Sequence, residues 1–226
     1  MTGDNGMPFP RAKITLYDLG TKVPLVIRWP PRIQKGRVVD DFVTLSDLAP
    51  TLLEAANLEP IEQMSATSFL NTLEATENGL INDARTRVFT GIELHCGRFP
   101  IRSIRTTEYL YVRNFEPDRS VALCRDYWES DSGHSPTWLS VKLLPKNSKM
   151  YQRIAGQRAR EELYDIRRDK YQLNNLALEP EFESIRTDLW LELQTKLQET
   201  KDPRIEGNHE EIFYIPHAIN EQNRNN

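Results

Sequence analysis

Hydrophobic and polar positions follow two different rhythms along this chain. The first half carries short β-type runs. Val23-Pro24-Leu25-Val26-Ile27-Arg28-Trp29, stopped by Pro30-Pro31, predicts a strand buried on both faces, as in a largely parallel sheet. Pro24 is tolerated at its start. Val38-Val39-Asp40-Asp41-Phe42-Val43 predicts a second strand. A helix follows from about Asp47 to Ala56, capped by Thr44 or Ser46, with Leu48, Leu52, Leu53 and Ala56 on one face. Asp47 suits its positive end, Pro50 its first turn and Asn57 its stop. Residues 60–85 are irregular apart from a short helical stretch near Ser68 to Leu73.

The second half begins with β-character at Val88–Leu94, which delivers His95, Cys96 and Gly97 at its end. Ile101–Arg105 and Tyr109–Arg113 flank Thr106-Thr107-Glu108 and predict an antiparallel hairpin. Glu116 to Lys149 reads as a long loop. Glu161–Asp165 predicts a short strand. The clearest helix runs from Pro180 to about Lys201, where Ile185, Leu189, Leu193 and Leu197 repeat every fourth residue and Phe182 and Trp190 widen the stripe. Asp202-Pro203 ends it. That stripe is core packing against a sheet. The pattern divides the chain into an α/β part over 1–98, a smaller α+β part over 99–205, and a frayed tail over 206–226.

Composition narrows the classes. The 226 residues are 38% hydrophobic and 27% charged, with a formal net charge of −4 and both signs interspersed. Bulk electrostatics therefore gives no case for nucleic-acid binding, and no apolar run approaches a membrane span. The first residues hold no charged-then-apolar leader pattern, which leaves the compartment open. The two cysteines, Cys96 and Cys124, form no disulfide framework and lie in no metal-ligand spacing.

Candidate chemistry gathers at the beginning, in Asp4-Asn5-Gly6-Met7-Pro8-Phe9-Pro10-Arg11-Ala12-Lys13. Asp4 and Asn5 offer the hard oxygens that Ca²⁺ or Mg²⁺ prefers, though two ligands fall short of the six to eight that Ca²⁺ takes. Gly6 allows a tight turn, and Lys13 brings a point charge to an anion. Taken alone, Asp-Asn-Gly is also simply a good turn. Asp40, Asp41 and Asp47 read as solvated or capping carboxylates. Arg98 and Arg102 read as solvated or salt-bridged by default, with anion recognition as the alternative.

Asp4-Asn5-Gly6 with Lys13, Leu16-Tyr17, Gly20-Thr21, Val23-Pro24-Leu25 and Trp29-Pro30 resembles the second signature region of the sulfatase family. Ser46–Leu53 resembles the helix that follows it there. Met7-Pro8-Phe9-Pro10, Glu162-Leu163-Tyr164-Asp165 and Asn174-Asn175-Leu176-Ala177 are most similar to the sulfamidase branch, which cleaves N-linked sulfate from glucosamine. Lys170 departs from that pattern, where proline is usual. The resemblance implies the C-terminal part of an alkaline-phosphatase-like α/β fold carrying a smaller α+β domain, an antiparallel sheet plus a long C-terminal helix.

It also implies a calcium ion with Asp4 and Asn5 among its ligands, Lys13 on the sulfate, and a sulfated sugar or glycosaminoglycan as substrate. His95 resembles a substrate-facing histidine of the branch, and a structural role is the alternative. His134 is a weaker candidate for the same pocket, and His209 and His217 receive no role. The family's nucleophile is a formylglycine made in a Cys/Ser-x-Pro/Ala-x-Arg motif. Neither cysteine nor any serine here fits that motif. The expectation is a C-terminal piece whose partner, the N-terminal half of the same domain, holds the nucleophile and the remaining calcium ligands. A catalytically dead glycan-binding module is the competing reading. A phosphate-ester hydrolase is a third, against which Lys13 and Trp29-Pro30 favour sulfate.

Overall fold

The computed structural model describes residues 1–95, 98–118 and 136–207. Its framework is a four-stranded antiparallel sheet in simple meander order, β1 (Arg87–Leu94), β2 (Arg98–Thr106), β3 (Tyr109–Asn114) and β4 (Glu161–Asp165). The predicted hairpin is β2–β3, with Ile104 opposite Tyr111. β1 pairs with β2 through Phe89 opposite Ile104. The Val88–Leu94 run therefore opens the antiparallel sheet instead of closing an α/β layer, and the sheet starts before the expected boundary at residue 98.

Strand alternation sorts the side chains into two cores. One face gathers Ile101, Leu110, Val112 and Tyr164 with Ile14, Leu16 and Tyr17, and with Trp138 and Val141 of helix α4 (Pro136–Lys142). The opposite face gathers Ile104, Tyr111 and Leu163 beneath Leu189, Leu193 and Leu197 of helix α6 (Glu183–Glu199). The predicted helical stripe is this core contact, preceded by a 3₁₀ turn at Pro180–Phe182. Gly91 faces Arg102 across the β1–β2 ladder, and a Cβ there would meet the arginine stem at 2.8 Å.

The outer edge of β4 is covered by a side chain. Asn175 Oδ1 accepts from Leu163 N–H (2.9 Å), its Nδ2 donates to Glu161 O (3.0 Å), and Leu176 N–H donates to Leu163 O (2.8 Å). The Asn-Asn-Leu-Ala run thus acts as a short substitute strand that protects a sheet edge.

Part of the stretch expected to be loop is helical. α4 buries Trp138 and Val141, three residues apart on one helix face. Helix α5 (Lys149–Ala155) is capped by Ser148, whose side chain accepts from Tyr151 N–H.

Residues 1–85 depart further from expectation. Val23–Trp29 is extended but joins no sheet: Leu25 bridges Thr2, and Val26 is 56% exposed. A two-sided strand needs neighbours along both edges, and among the described residues only residues 1–3 lie beside it. Val38–Val43 likewise shows a single bridge, Val39 to Gly79. Besides the one-turn helix α1 (Asp18–Thr21), this part holds α2 (Leu48–Ala55), entered through a 3₁₀ turn with Thr44 at the cap, and α3 (Leu70–Glu74). α2 buries Pro50 and Thr51, whereas Leu52, assigned to its inner face by periodicity, is 68% exposed. Asp41 and Asp47 are buried acceptors: the solvated reading fails for both, and the capping reading holds for Asp47, which accepts from Thr44 N–H at 2.9 Å. Asp41 takes the N–H groups of Ile81 and Asn82 (2.7 and 2.9 Å), and Asp47 pairs with Arg85 (3.0 Å).

Candidate functional site

Close backbone packing shapes the opening loop. Gly6 N–H donates to Gly20 O at 3.0 Å, and a Cβ on Gly6 would lie 2.2 Å from Leu19 O. A Cβ on Gly20 would lie 2.3 Å from Thr15 O, so both positions require glycine by proximity. Asp4 and Asn5 stand exposed just before this contact. Asp4 Oδ1 accepts from Asn5 N–H (2.9 Å), and Asn5 Nδ2 donates to Gly6 O (3.1 Å).

Lys13 follows on a compact loop, where Phe9 N–H and Lys13 N–H both donate to Met7 O (2.7 and 3.1 Å). Its neighbours are anchored on both sides. Ala12, Ile14, Leu16 and Tyr17 are buried, and Asp18 holds Arg105 with two contacts of 2.9 and 3.0 Å. Lys13 itself is half-buried.

His95 leaves the end of β1, on the far side of the chain in sequence. Partial desolvation holds its imidazole below the ordinary histidine value, and the positive charge of Lys13 lowers it further. The residue before that exit is fixed by a β-bulge at Glu93. Glu93 accepts from Arg102 (3.1 Å) and pairs with Arg204, which also binds Glu116 (3.0 Å). Arg102 in turn binds Asp202 (2.7 Å). Arg102 is thus a buried ion-pair residue, as its default reading had it. A groove of about 370 Å³ beside this network is lined by Gly91, Glu93, Leu193, Lys196 and Asp202.

His134, Cys96, Cys124, His209, His217 and the side chain of Arg98 lie outside the described residues. Among the described residues no three His, Cys, Asp or Glu side chains come together as a metal site. Asp4 and Asn5 have the right donor chemistry for calcium, but by themselves they do not make up its coordination shell.

Sequence reasoning missed a buried polar cluster under the Lys13 loop. Glu162 Oε2 accepts from the hydroxyls of both Tyr17 and Tyr164 at 2.7 Å, with the two rings edge to face at 5.8 Å. Burial and the adjacent Glu162 carboxylate raise both tyrosines above their ordinary value. The available signal was Glu162 itself, a charged residue on the same strand face as Tyr164.

Comparison with known proteins agrees with this architecture. Residues 11–132 match the family model "N-sulphoglucosamine sulphohydrolase, C-terminal". An ulvan-active sulfatase of Formosa agariphila is 30% identical over 195 residues, 84% of this chain and 31% of that protein. The human N-sulphoglucosamine sulphohydrolase is 28% identical over 214 residues, 89% of this chain and 41% of that protein. A solved structure in complex with its substrate D-glucosamine-2-N,6-O-disulfate superposes with a TM-score of 0.60 at 18% identity, over 84% of this chain and 31% of that one. A putative sulfatase from Bacteroides thetaiotaomicron superposes at 0.56 and 21%, over 84% and 32%. At these identities the structural likeness establishes the fold.

The family model and the sequence relatives together define a sulfatase-type C-terminal region. The chain belongs to the N-sulphoglucosamine sulphohydrolase family, in its C-terminal part. It spans about a third of the length of the first curated relatives it matches.

Proposed function

We propose that this chain supplies the sulfate-facing C-terminal part of a sulfohydrolase acting on a sulfated sugar of the glycosaminoglycan type. Lys13 takes the role of sulfate contact, and His95 faces the same anion. Asp4 and Asn5 supply two oxygen ligands of a calcium ion whose chemistry, when bound, is to stabilise charge at the sulfate. The observation that carries this reading is the placement of the exposed Asp4-Asn5 pair and the half-buried Lys13 on one compact stretch, closed by the Gly6–Gly20 contact, with the Lys13 charge felt at His95. The names of the relatives, an ulvan-active sulfatase and an N-sulphoglucosamine sulphohydrolase, support a sulfated saccharide as the substrate class.

The roles follow from elementary chemistry. An ammonium group half-removed from water attracts an anion more strongly than one in bulk solvent. A histidine kept neutral beside it can still donate one N–H hydrogen bond to a sulfate or sugar oxygen. Covalent attack on sulfur needs a nucleophile, and these 226 residues hold no Cys/Ser-x-Pro/Ala-x-Arg motif to provide it. This polypeptide alone is accordingly expected to bind without turning over.

Two measurements test the reading. Purified 226-residue chain incubated with a chromogenic aryl sulfate and calcium should release no product, and steady hydrolysis would refute the inactivity. Calorimetric titration with N-sulfated glucosamine should show weak, salt-sensitive binding that Lys13→Met abolishes. Equal binding by wild type and K13M would remove Lys13 from the role.

A further inference from the structure

The loop that carries Lys13 holds a conformation its own residues disfavour. Arg11 has φ of 60° and Ile14 has φ of 69°, one on each side of Lys13. For a β-branched residue such as Ile14 a positive φ is an outlier, and it persists only where the surroundings over-determine it.

Those surroundings reach across the chain. The Arg11 guanidinium donates to Arg153 O at 3.0 Å and to Gln172 O, and it lies 4.0 Å above the Tyr17 ring. Tyr17 and Glu162 are each 4% exposed, so their 2.7 Å hydrogen bond is made away from water. The second hydroxyl, from Tyr164, fixes the same carboxylate oxygen from the sheet side. Ile14 and Leu16 fill the adjoining core. A carboxylate in this position is costly unless its hydrogen bonds are made, so the register of the loop and the satisfaction of Glu162 depend on one another.

We propose that Glu162 is a positioning residue that, through Tyr17 and Arg11, sets the conformation of the loop that carries Lys13. The functional meaning of this clamp rests on the reading of Lys13 as the sulfate contact. The clamp grips two residues before Lys13 and four after it, so a slip at either point is passed to the lysine. An apolar pair in place of Tyr17 and Glu162 would pack the sheet but would not select this loop conformation.

The test reads the geometry through His95. The chain has four histidines, and the His95 imidazole signal in a nitrogen-detected NMR titration is identified by its loss in His95→Gln. Lys13→Met should move the His95 midpoint upward, because it removes a positive charge that disfavours the imidazolium. Glu162→Gln and Tyr17→Phe should each move it the same way, and should add nothing in the K13M background. A midpoint unchanged in both clamp variants that still unfold cooperatively would overturn the proposal. So would a further shift on top of K13M, or a K13M variant with no shift. Should E162Q fail to fold, Y17F still decides, since it removes one hydroxyl and keeps the ring. The titration uses neither sulfate nor calcium, so loss of the sulfate reading and loss of the clamp are separate outcomes.

Discussion

Residues 1–85 and residues 87–206 are held together by different physics. The sheet half has two packed cores, with Ile104, Tyr111, Leu163 and Leu193 fully buried. The first half is pinned by polar side chains reaching backbone groups. Arg37 donates to Leu73 O and Thr72 O, Asp41 accepts from Ile81 and Asn82, and Arg85 reaches Phe42 O, Thr67 O and Ser68 O. Its large apolar residues Val26, Val38, Leu52, Leu58 and Ile61 are each more than half exposed. This exposure contrasts with the closed cores of the sheet. It accords with our proposal that these residues belong to a larger catalytic domain. The contrast is between a region held by packed cores, one of them completed by Ile14, Leu16 and Tyr17, and a region held mainly by polar side chains.

The sharpest way to break this comparison is to truncate one leucine in each half. Leu193→Ala opens a cavity in a closed core and should cost about 2–5 kcal/mol. Leu52→Ala removes a side chain already 68% exposed and should stay within about 0.5 kcal/mol. Urea unfolding followed by tryptophan fluorescence measures both. Comparable losses would mean that Leu52 is packed in solution and the contrast is false.

This division also explains which parts were legible in the sequence. The α6 stripe, the β2–β3 hairpin and β4 could be read because each element buries its own pattern against another element of the same chain. Val23–Trp29 has the composition of a two-sided strand, yet forms none here, because strand pairing depends on a neighbour and not on the run itself. Leu52 fails for the same reason. For the candidate site, motif and resemblance single out Asp4, Asn5 and Lys13 as candidates, and a strand end singles out His95. What could not be read was the clamp: no spacing rule links Tyr17 to Glu162 across the fold. Helices α4 and α5, at seven residues each, were too short to register as periodicity.

A smaller effect should distinguish polar pinning from core packing. Asp41→Ala strands the N–H groups of Ile81 and Asn82 and the Thr72 hydroxyl. Each buried donor left unpaired costs about 1–3 kcal/mol, and with three donors stranded and water able to reach some of them the total should be about 2–3 kcal/mol. Hydrogen exchange should accelerate over residues 72–85 while protection of β2 and β3 is unchanged. Acceleration throughout the sheet would show that the two halves open as one unit.

The smallest expected effect lies at the seam between the halves. Tyr17→Phe removes one of two hydroxyl donors to Glu162 and should cost about 1.5 kcal/mol at neutral pH, the lower range for a hydrogen bond to a charged group. Its pH dependence is more diagnostic than its size. Burial, then the Glu162 carboxylate, raises Tyr17 above its unfolded value of 10.0. The stabilisation from keeping this phenol neutral is therefore fully present below pH 10. Above pH 10 the unfolded chain releases the proton while the folded chain retains it, so stability falls as pH rises toward the folded value. Y17F lacks that proton, and its unfolding free energy should decline less steeply above pH 10 than that of the wild type. The two curves would then converge as the wild type loses its advantage. Parallel curves would mean that Tyr17 ionises alike in both states, and that the seam between the two halves is open to water.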